Sequence, residues 1–255
     1  MSDETFAPFK DHFSASAQDY ALARPSYPQA LFDWIASIAP ARNAVWEAGC
    51  GSGQASRDLA TRFARVHATD PSAAQVAQAP VIANVTFAVE PGERCSLRDA
   101  SVDAVCVAQA LHWFERDAFF AECGRVLRPG GVLVAWGYQD IQVTAAIAAE
   151  NTALQRGIAP YWPPERADVD AAYAGYAWPF EPVAAPAFEL AADWPLPRLL
   201  AYFASYSATR RCREATGIDP VAAREAGLAA AWGDPAATRT VRWPLFVHAR
   251  RNPAP

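Results

Sequence analysis

The chain has 255 residues, 52% of them hydrophobic, with a formal net charge of −5 and a pI near 5.4. That length supports one large domain, or one with a sizeable insertion, that buries its own core without staples. A single lysine, Lys10, and the acidic balance exclude the basic footprint of a nucleic-acid binder.

Five cysteines, Cys50, Cys95, Cys106, Cys123 and Cys212, are odd in number and lack zinc or redox spacing. The opening MSDETFAPFKDHF has no apolar leader core, and no apolar run reaches membrane-spanning length. The expectation is a soluble cytoplasmic protein without nucleic-acid or membrane partners.

Residues 30–38 are apolar at helical spacing. A short buried strand at 44–46, a helix at 55–63, a strand at 65–69 and a helix at 72–78 follow. Strands are expected at 85–89 and 102–108. A helix at 117–127 is closed by Arg128-Pro129-Gly130-Gly131, and a strand occupies 132–136. This alternation predicts an α/β fold, a doubly wound parallel sheet with helices on both faces. After Tyr138 the pattern changes. A helix at 141–155 precedes a proline- and aromatic-rich stretch, 159–197, whose Trp162, Tyr173, Tyr176, Trp178, Phe180 and Trp194 demand burial. A strand within 186–194, helices at 198–206 and 219–232, and a strand at 239–249 complete the chain. Pro244 marks a bulge or an edge in that last run. One domain is expected: an N-terminal segment 1–28, a core 29–138, an insertion 139–198 and a C-terminal completion 199–255.

The stretch 45–60, VWEAGCGSGQASRDLA, sets glycines at 49, 51 and 53, and Gln54 breaks the dinucleotide fingerprint G-x-G-x-x-G. Such glycines let a ligand approach bare backbone. Glu47 just before them repels a pyrophosphate and suits a cationic group. Asp70, followed by Pro71, ends the next strand about 20 residues on, where this fold class places an acid for ribose hydroxyls. A ribose plus a cationic end, without phosphate, describes S-adenosylmethionine.

EAGCGSG, then Asp70, VDAVCVAQALHW (102–113) and VLRPGG (126–131) resemble the class I S-adenosylmethionine-dependent methyltransferases. QDYALARPSYP (18–28), QALHWF (109–114) and YFASYSATR (202–210) resemble the methyltransferase type 11 branch that includes trans-aconitate methyltransferase and its relatives. The resemblance implies a Rossmann-like seven-stranded sheet of order 3-2-1-4-5-7-6, its last strand antiparallel, with 186–194 and 239–249 as the final two strands. An N-terminal lid helix and an aromatic insertion after strand five go with it. It also implies the cofactor contacts: Glu47 at the methionine amino end, and the backbone of Ala48, Gly49 and Gly51. Asp70 with Pro71 would hold the ribose. The turn carrying Gly92 and Glu93 would meet the adenine, with Glu90 an alternative acceptor and Pro91 where some relatives have Asp. Gln109 would lie under the methionine.

Methyl transfer from a sulfonium is an in-line displacement for which a protein supplies alignment and a dry cavity. A base is needed only if the acceptor must lose a proton; a carboxylate acceptor wants an arginine clamp instead. His112, just past the fourth strand, is the catalytic candidate, against a packing role beside Trp113. His12, His67 and His248 are scattered and give no metal motif. Acceptor contacts are expected from Tyr20 and Arg24, on one helical face, and from Tyr27, Trp113, Trp136, Tyr138 and Arg210. The expected partner is a small-molecule acceptor, O-methylated on a carboxylate or hydroxyl, and a monomer and a homodimer are both compatible. Two rivals remain: a non-catalytic binding protein on the same fold, and an NAD-dependent oxidoreductase, disfavoured by Gln54 and Glu47.

Overall fold

β1 (Val45–Ala48) is an interior strand of the main sheet and is buried along its whole length. β2 (Val66–Asp70) and β4 (Val102–Ala108) pair with it in parallel, and β3 (Val85–Val89) lies outside β2. β5 (Leu127–Tyr138) continues beyond β4. β9 (Leu245–Arg251) then runs antiparallel between β5 and β6 (Glu181–Val183). The order β3-β2-β1-β4-β5-β9-β6 is the expected Rossmann-like arrangement. The computed structural model describes residues 24–253.

Strands covered on both faces read as near-continuous apolar runs, and VDAVCVA of β4 does so apart from Asp103, which pairs with Arg128 at 2.6 Å. Alternate residues then serve two cores. α1 (Gln29–Ile38) lays Leu31, Phe32 and Ile35 against Val45, Cys106, Val134 and Trp136. α4 (Arg116–Val126) lays Phe119 and Cys123 against Trp46, Val105 and Leu133 on the other face. α2 (Gln54–Ala60) follows β1. α3 (Ala73–Val76) is a single turn, shorter than the expected 72–78, capped by Ser72 Oγ accepting from Gln75 N at 3.3 Å.

Two expectations are corrected. Residues 128–131 do not merely close a helix; they are strand. Gly130 N donates to Asn252 O at 2.9 Å and Asn252 N to Gly131 O at 2.8 Å, so the far end of the chain completes that pairing. The 239–249 run is not one strand. Pro244 lacks the N–H that would continue a ladder, and the chain changes sheet there. β8 (Arg239–Trp243) pairs with β7 (Leu190–Trp194) in a separate two-stranded ribbon, and β9 joins the main sheet. The expected strand at 186–194 is therefore ribbon, and β6 takes the edge.

The rest is helical. α5 (Ala145–Ile158) and a 3-10 turn (Ala159–Tyr161) follow β5, then a short α6 (Arg166–Asp170). α7 (Leu196–Ala204), α8 (Ser207–Thr216) and α9 (Ala222–Trp232) come from the C-terminal region. α5 packs on α9, and the 3-10 turn packs on α8. Insertion and C-terminal region thus share one layer beyond the end of β5.

Candidate functional site

The glycine turn joins the end of β1 to α2, with φ of +70°, +54° and +82° at Gly49, Gly51 and Gly53. These are left-handed values that only glycine adopts cheaply. Space adds a second demand at Gly49, where a Cβ would lie 2.6 Å from Ala110 Cβ and 3.0 Å from Phe114 Cζ. The turn is pinned to the neighbouring strand. Gly49 N and Cys50 N both donate to Thr69 O, at 2.8 and 2.9 Å. Asp70 joins two loops: Oδ2 accepts from Gly51 N and Oδ1 from Ser72 N, each at 2.9 Å. A carboxylate offers about four acceptor sites, so these bonds hold the acid in place without exhausting it.

Glu47 is 1% exposed, and Ser56 Oγ donates to its Oε2. Burial pushes its pKa up to about 8; the Ser56 bond offsets part of this, and Asp70 and Asp58 push the same way. A buried acid in this condition is stabilised by an incoming cation.

Facing the glycine turn is the loop after β3. Glu90 Oε2 meets His67 Nε2 at 3.1 Å and accepts from Ser96 N at 3.0 Å. Glu93 Oε1 accepts from Glu115 N at 2.8 Å. Both acids therefore brace the loop. Phe114 packs against it: a Cβ on Gly92 would stand 3.0–3.1 Å from three of its ring atoms. One aromatic ring thus lies beside both Gly49 and Gly92, a site-lining residue that sequence reasoning did not single out. The available signal was an aromatic closing QALHWF, straight after the fourth strand.

Gln109 has φ +54°, and its side chain is engaged at the sheet edge. Oε1 accepts from Tyr138 N at 2.7 Å and Nε2 donates to Tyr138 O at 3.2 Å. The amide extends the β4–β5 ladder by one step.

Beyond β5 stands an aromatic group around Arg24. Its Nη1 donates to Tyr138 Oη at 3.2 Å and its Nη2 to Ser205 O at 3.4 Å. The guanidinium lies 5.2 Å from the Tyr202 ring centroid and 5.6 Å from that of Tyr206. Tyr27 packs edge-on against Trp136 at 5.7 Å and tilted against Tyr138 at 6.3 Å. Trp136 is fully buried and forms the floor of this group. Arg210 meets Glu214 at 3.8 Å along α8. Tyr20 lies outside the described residues, as does the lid segment through residue 23.

His112 belongs to the opposite core. It sits in a 3-10 turn (Leu111–Trp113) with its ring 4.7 Å from that of Trp113. Its Nδ1 shares a 3.0 Å hydrogen bond with the Tyr173 hydroxyl. Burial, and secondarily the Arg166 charge, push its pKa down to about 3. The sequence-predicted residues thus divide. Arg24, Tyr27, Trp136 and Tyr138 come together, whereas His112 and Trp113 join the Tyr173 side. Among the described residues no histidine, cysteine and carboxylate cluster could hold a metal, and no helix is long and apolar enough to cross a membrane.

The Methyltransferase domain family matches residues 46–135, the segment from β1 through most of β5. A Dictyostelium discoideum protein named as a methyltransferase is 31% identical over 204 residues, 78% of each chain. A Saccharomyces cerevisiae protein named as an S-adenosylmethionine-dependent methyltransferase is 33% identical over 128 residues, 47% of this chain and 44% of that one. The solved structure of a type II methyltransferase from Anaeromyxobacter dehalogenans superposes with a TM-score of 0.85 at 43% identity, covering 91% of this chain and 99% of that one. These likenesses set aside the oxidoreductase reading. With the glycine turn, the buried Glu47 and the pinned Asp70, they place this chain in the class I S-adenosylmethionine-dependent methyltransferase family.

Proposed function

We propose that the enzyme methylates an oxygen of a small-molecule acid, a carboxylate ahead of a hydroxyl, in keeping with its resemblance to the trans-aconitate methyltransferase relatives. The observation that carries this reading is Arg24, held by Tyr138, Tyr202 and Tyr206 beyond the end of β5. In open α/β sheets ligands bind outside the carboxyl ends of the strands, and a guanidinium there suits a carboxylate.

S-adenosylmethionine fits the residues present, because a buried acid awaits a cation at Glu47 and Gly49 and Gly51 keep the backbone bare. When bound it supplies a methyl group already activated on sulfur. Glu47 takes the cationic amino end, and Ala48, Gly49 and Gly51 offer backbone. Asp70, fixed by two amides, receives the ribose beside Pro71. Gly92 and Glu93 frame the adenine side, where Phe114 adds an apolar wall. Gln109 sets the width between the ends of β4 and β5. Arg24 orients the acceptor beside Tyr27 and Tyr138, above Trp136, with Arg210 at the rim.

His112 acts here as a positioning residue. Its bond to Tyr173 and its low pKa suit it to holding the 3-10 turn, and a carboxylate acceptor has no proton to give up. The test is methyl transfer from labelled S-adenosylmethionine to a panel of carboxylic acids, alcohols, phenols, amines and carbon acids. Base-labile methyl esters support the reading; products only from phenols, amines or carbon acids overturn it.

A further inference from the structure

α5 buries a stripe of Ile147, Asn151, Leu154 and Ile158. An asparagine in an apolar stripe is costly unless both ends of its amide are satisfied. Asn151 is 6% exposed, and only one end is used. Its Nδ2 donates to Asp140 Oδ2 at 2.8 Å, while its buried Oδ1 has no hydrogen-bond partner. One turn along the helix, Gln155 Oε1 accepts from Trp162 Nε1 at 3.3 Å, and its buried Nε2 has no partner. Neither amide can be flipped to escape this, because a carboxylate needs a donor and an indole N–H needs an acceptor. An orphaned acceptor and an orphaned donor therefore stand four residues apart on one helix face.

Their surroundings connect them to the acceptor side. Asp140 follows β5 by two residues, and Tyr206 Oη donates to its Oδ1 at 3.4 Å. The Tyr206 ring lies 5.3 Å from that of Trp162 and beneath the Arg24 guanidinium. A continuous run of contacts thus leads from Tyr138 and Arg24 through Tyr206 to Trp162, Gln155 and Asn151.

We propose that Asn151 and Gln155 form a recognition subsite of the acceptor pocket, for a neutral hydroxyl or primary carboxamide carried by the acceptor away from its methylated oxygen. This rests on the small-acid methyl-transfer reading given above. Either group has a hydrogen for Asn151 Oδ1 and a lone pair for Gln155 Nε2. A carboxylate has no hydrogen to give and meets the Asp140 charge. An ammonium has no lone pair and meets Arg24. A methyl group leaves both amides orphaned, which is how hydrogen-bonding sites reject apolar analogues.

The test is calorimetry on the full chain saturated with S-adenosylhomocysteine. The probes are straight-chain carboxylates of four to ten carbons whose far end is a carboxamide, hydroxyl, methyl, second carboxylate or ammonium. At one chain length the carboxamide or hydroxyl form is expected to bind about tenfold or more tightly than the other three. Gln155→Glu keeps the acceptor for Trp162 and replaces the donor, and is expected to erase that preference while S-adenosylhomocysteine still binds. Gln155→Met gives the same readout if the first variant does not fold. Equal binding of all five ends, or no probe binding although S-adenosylhomocysteine does, overturns the subsite and indicates that water satisfies the two amides. A preference that survives in both variants overturns it as well. Failure of S-adenosylhomocysteine to bind the wild-type chain strikes the methyl-transfer reading instead.

Discussion

Replacing Glu47 by glutamine isolates the electrostatics of the proposed cofactor site. Burial raises this carboxyl from 4.5 to about 8, so between those values the folded protein holds a proton that the unfolded chain has released. Stability is then complete below about pH 4.5 and falls as pH rises toward 8, by about 5 kcal/mol over the whole window. Between pH 5 and pH 7 the loss is about 3 kcal/mol. Urea denaturation without cofactor, at both pH values and for both proteins, cancels every other titrating group. The wild type is expected to lose about 3 kcal/mol more than Glu47→Gln across that interval. A cation bound beside Glu47 favours its ionised form, so the wild type should also release close to one proton per S-adenosylhomocysteine near pH 7. Calorimetry in buffers of different ionisation enthalpy reads that proton, and the variant should release none and bind more weakly. Identical pH dependence of stability in the two proteins would refute the assignment of a buried, proton-holding acid.

Four further substitutions probe the other residues. Asp70→Ala strands the Gly51 and Ser72 amides at about 1–3 kcal/mol each; chemical denaturation and S-adenosylhomocysteine titration should both worsen, and unchanged affinity would remove Asp70 from the site. Arg24→Met should raise the KM for an acid acceptor about tenfold or more while leaving S-adenosylhomocysteine affinity close to wild type; equal losses in both would mean that Arg24 only braces the fold. His112→Ala and Tyr173→Phe break the same 3.0 Å bond, so both should lower kcat modestly without moving the pH–rate profile between pH 5 and 9. Loss of an acidic limb in the histidine variant alone would restore His112 as a base.

The sequence was most legible where the physics is local. The bounds of β3 and β4 follow from short β-branched runs with breakers at each end. The glycine turn announced itself because left-handed backbone and close approach both demand glycine, and Glu47 and Asp70 stand at fixed steps from it. The function of a site is harder to read from residue identity. His112 occupies a motif position, yet its hydrogen-bond partner Tyr173 arrives from 61 residues away, and the burial that lowers its pKa comes with that packing. Gln109, Glu90 and Glu93 were read by their placement in the family pattern. Their actual partners are Tyr138, His67, Ser96 and Glu115, all but Ser96 more than 20 residues away in the chain.

By itself, then, the sequence determined the class of fold and marked the glycine turn, because hydrophobic period and glycine placement act over a few residues, while the strand order was an implication of the family resemblance. Only the tertiary structure decided that Pro244 divides two sheets, that Phe114 lies beside both the glycine turn and the loop after β3, and that Asn151 and Gln155 are left with unpaired amide atoms. Each of these depends on which distant surfaces meet once the core is packed, and no local propensity encodes that meeting.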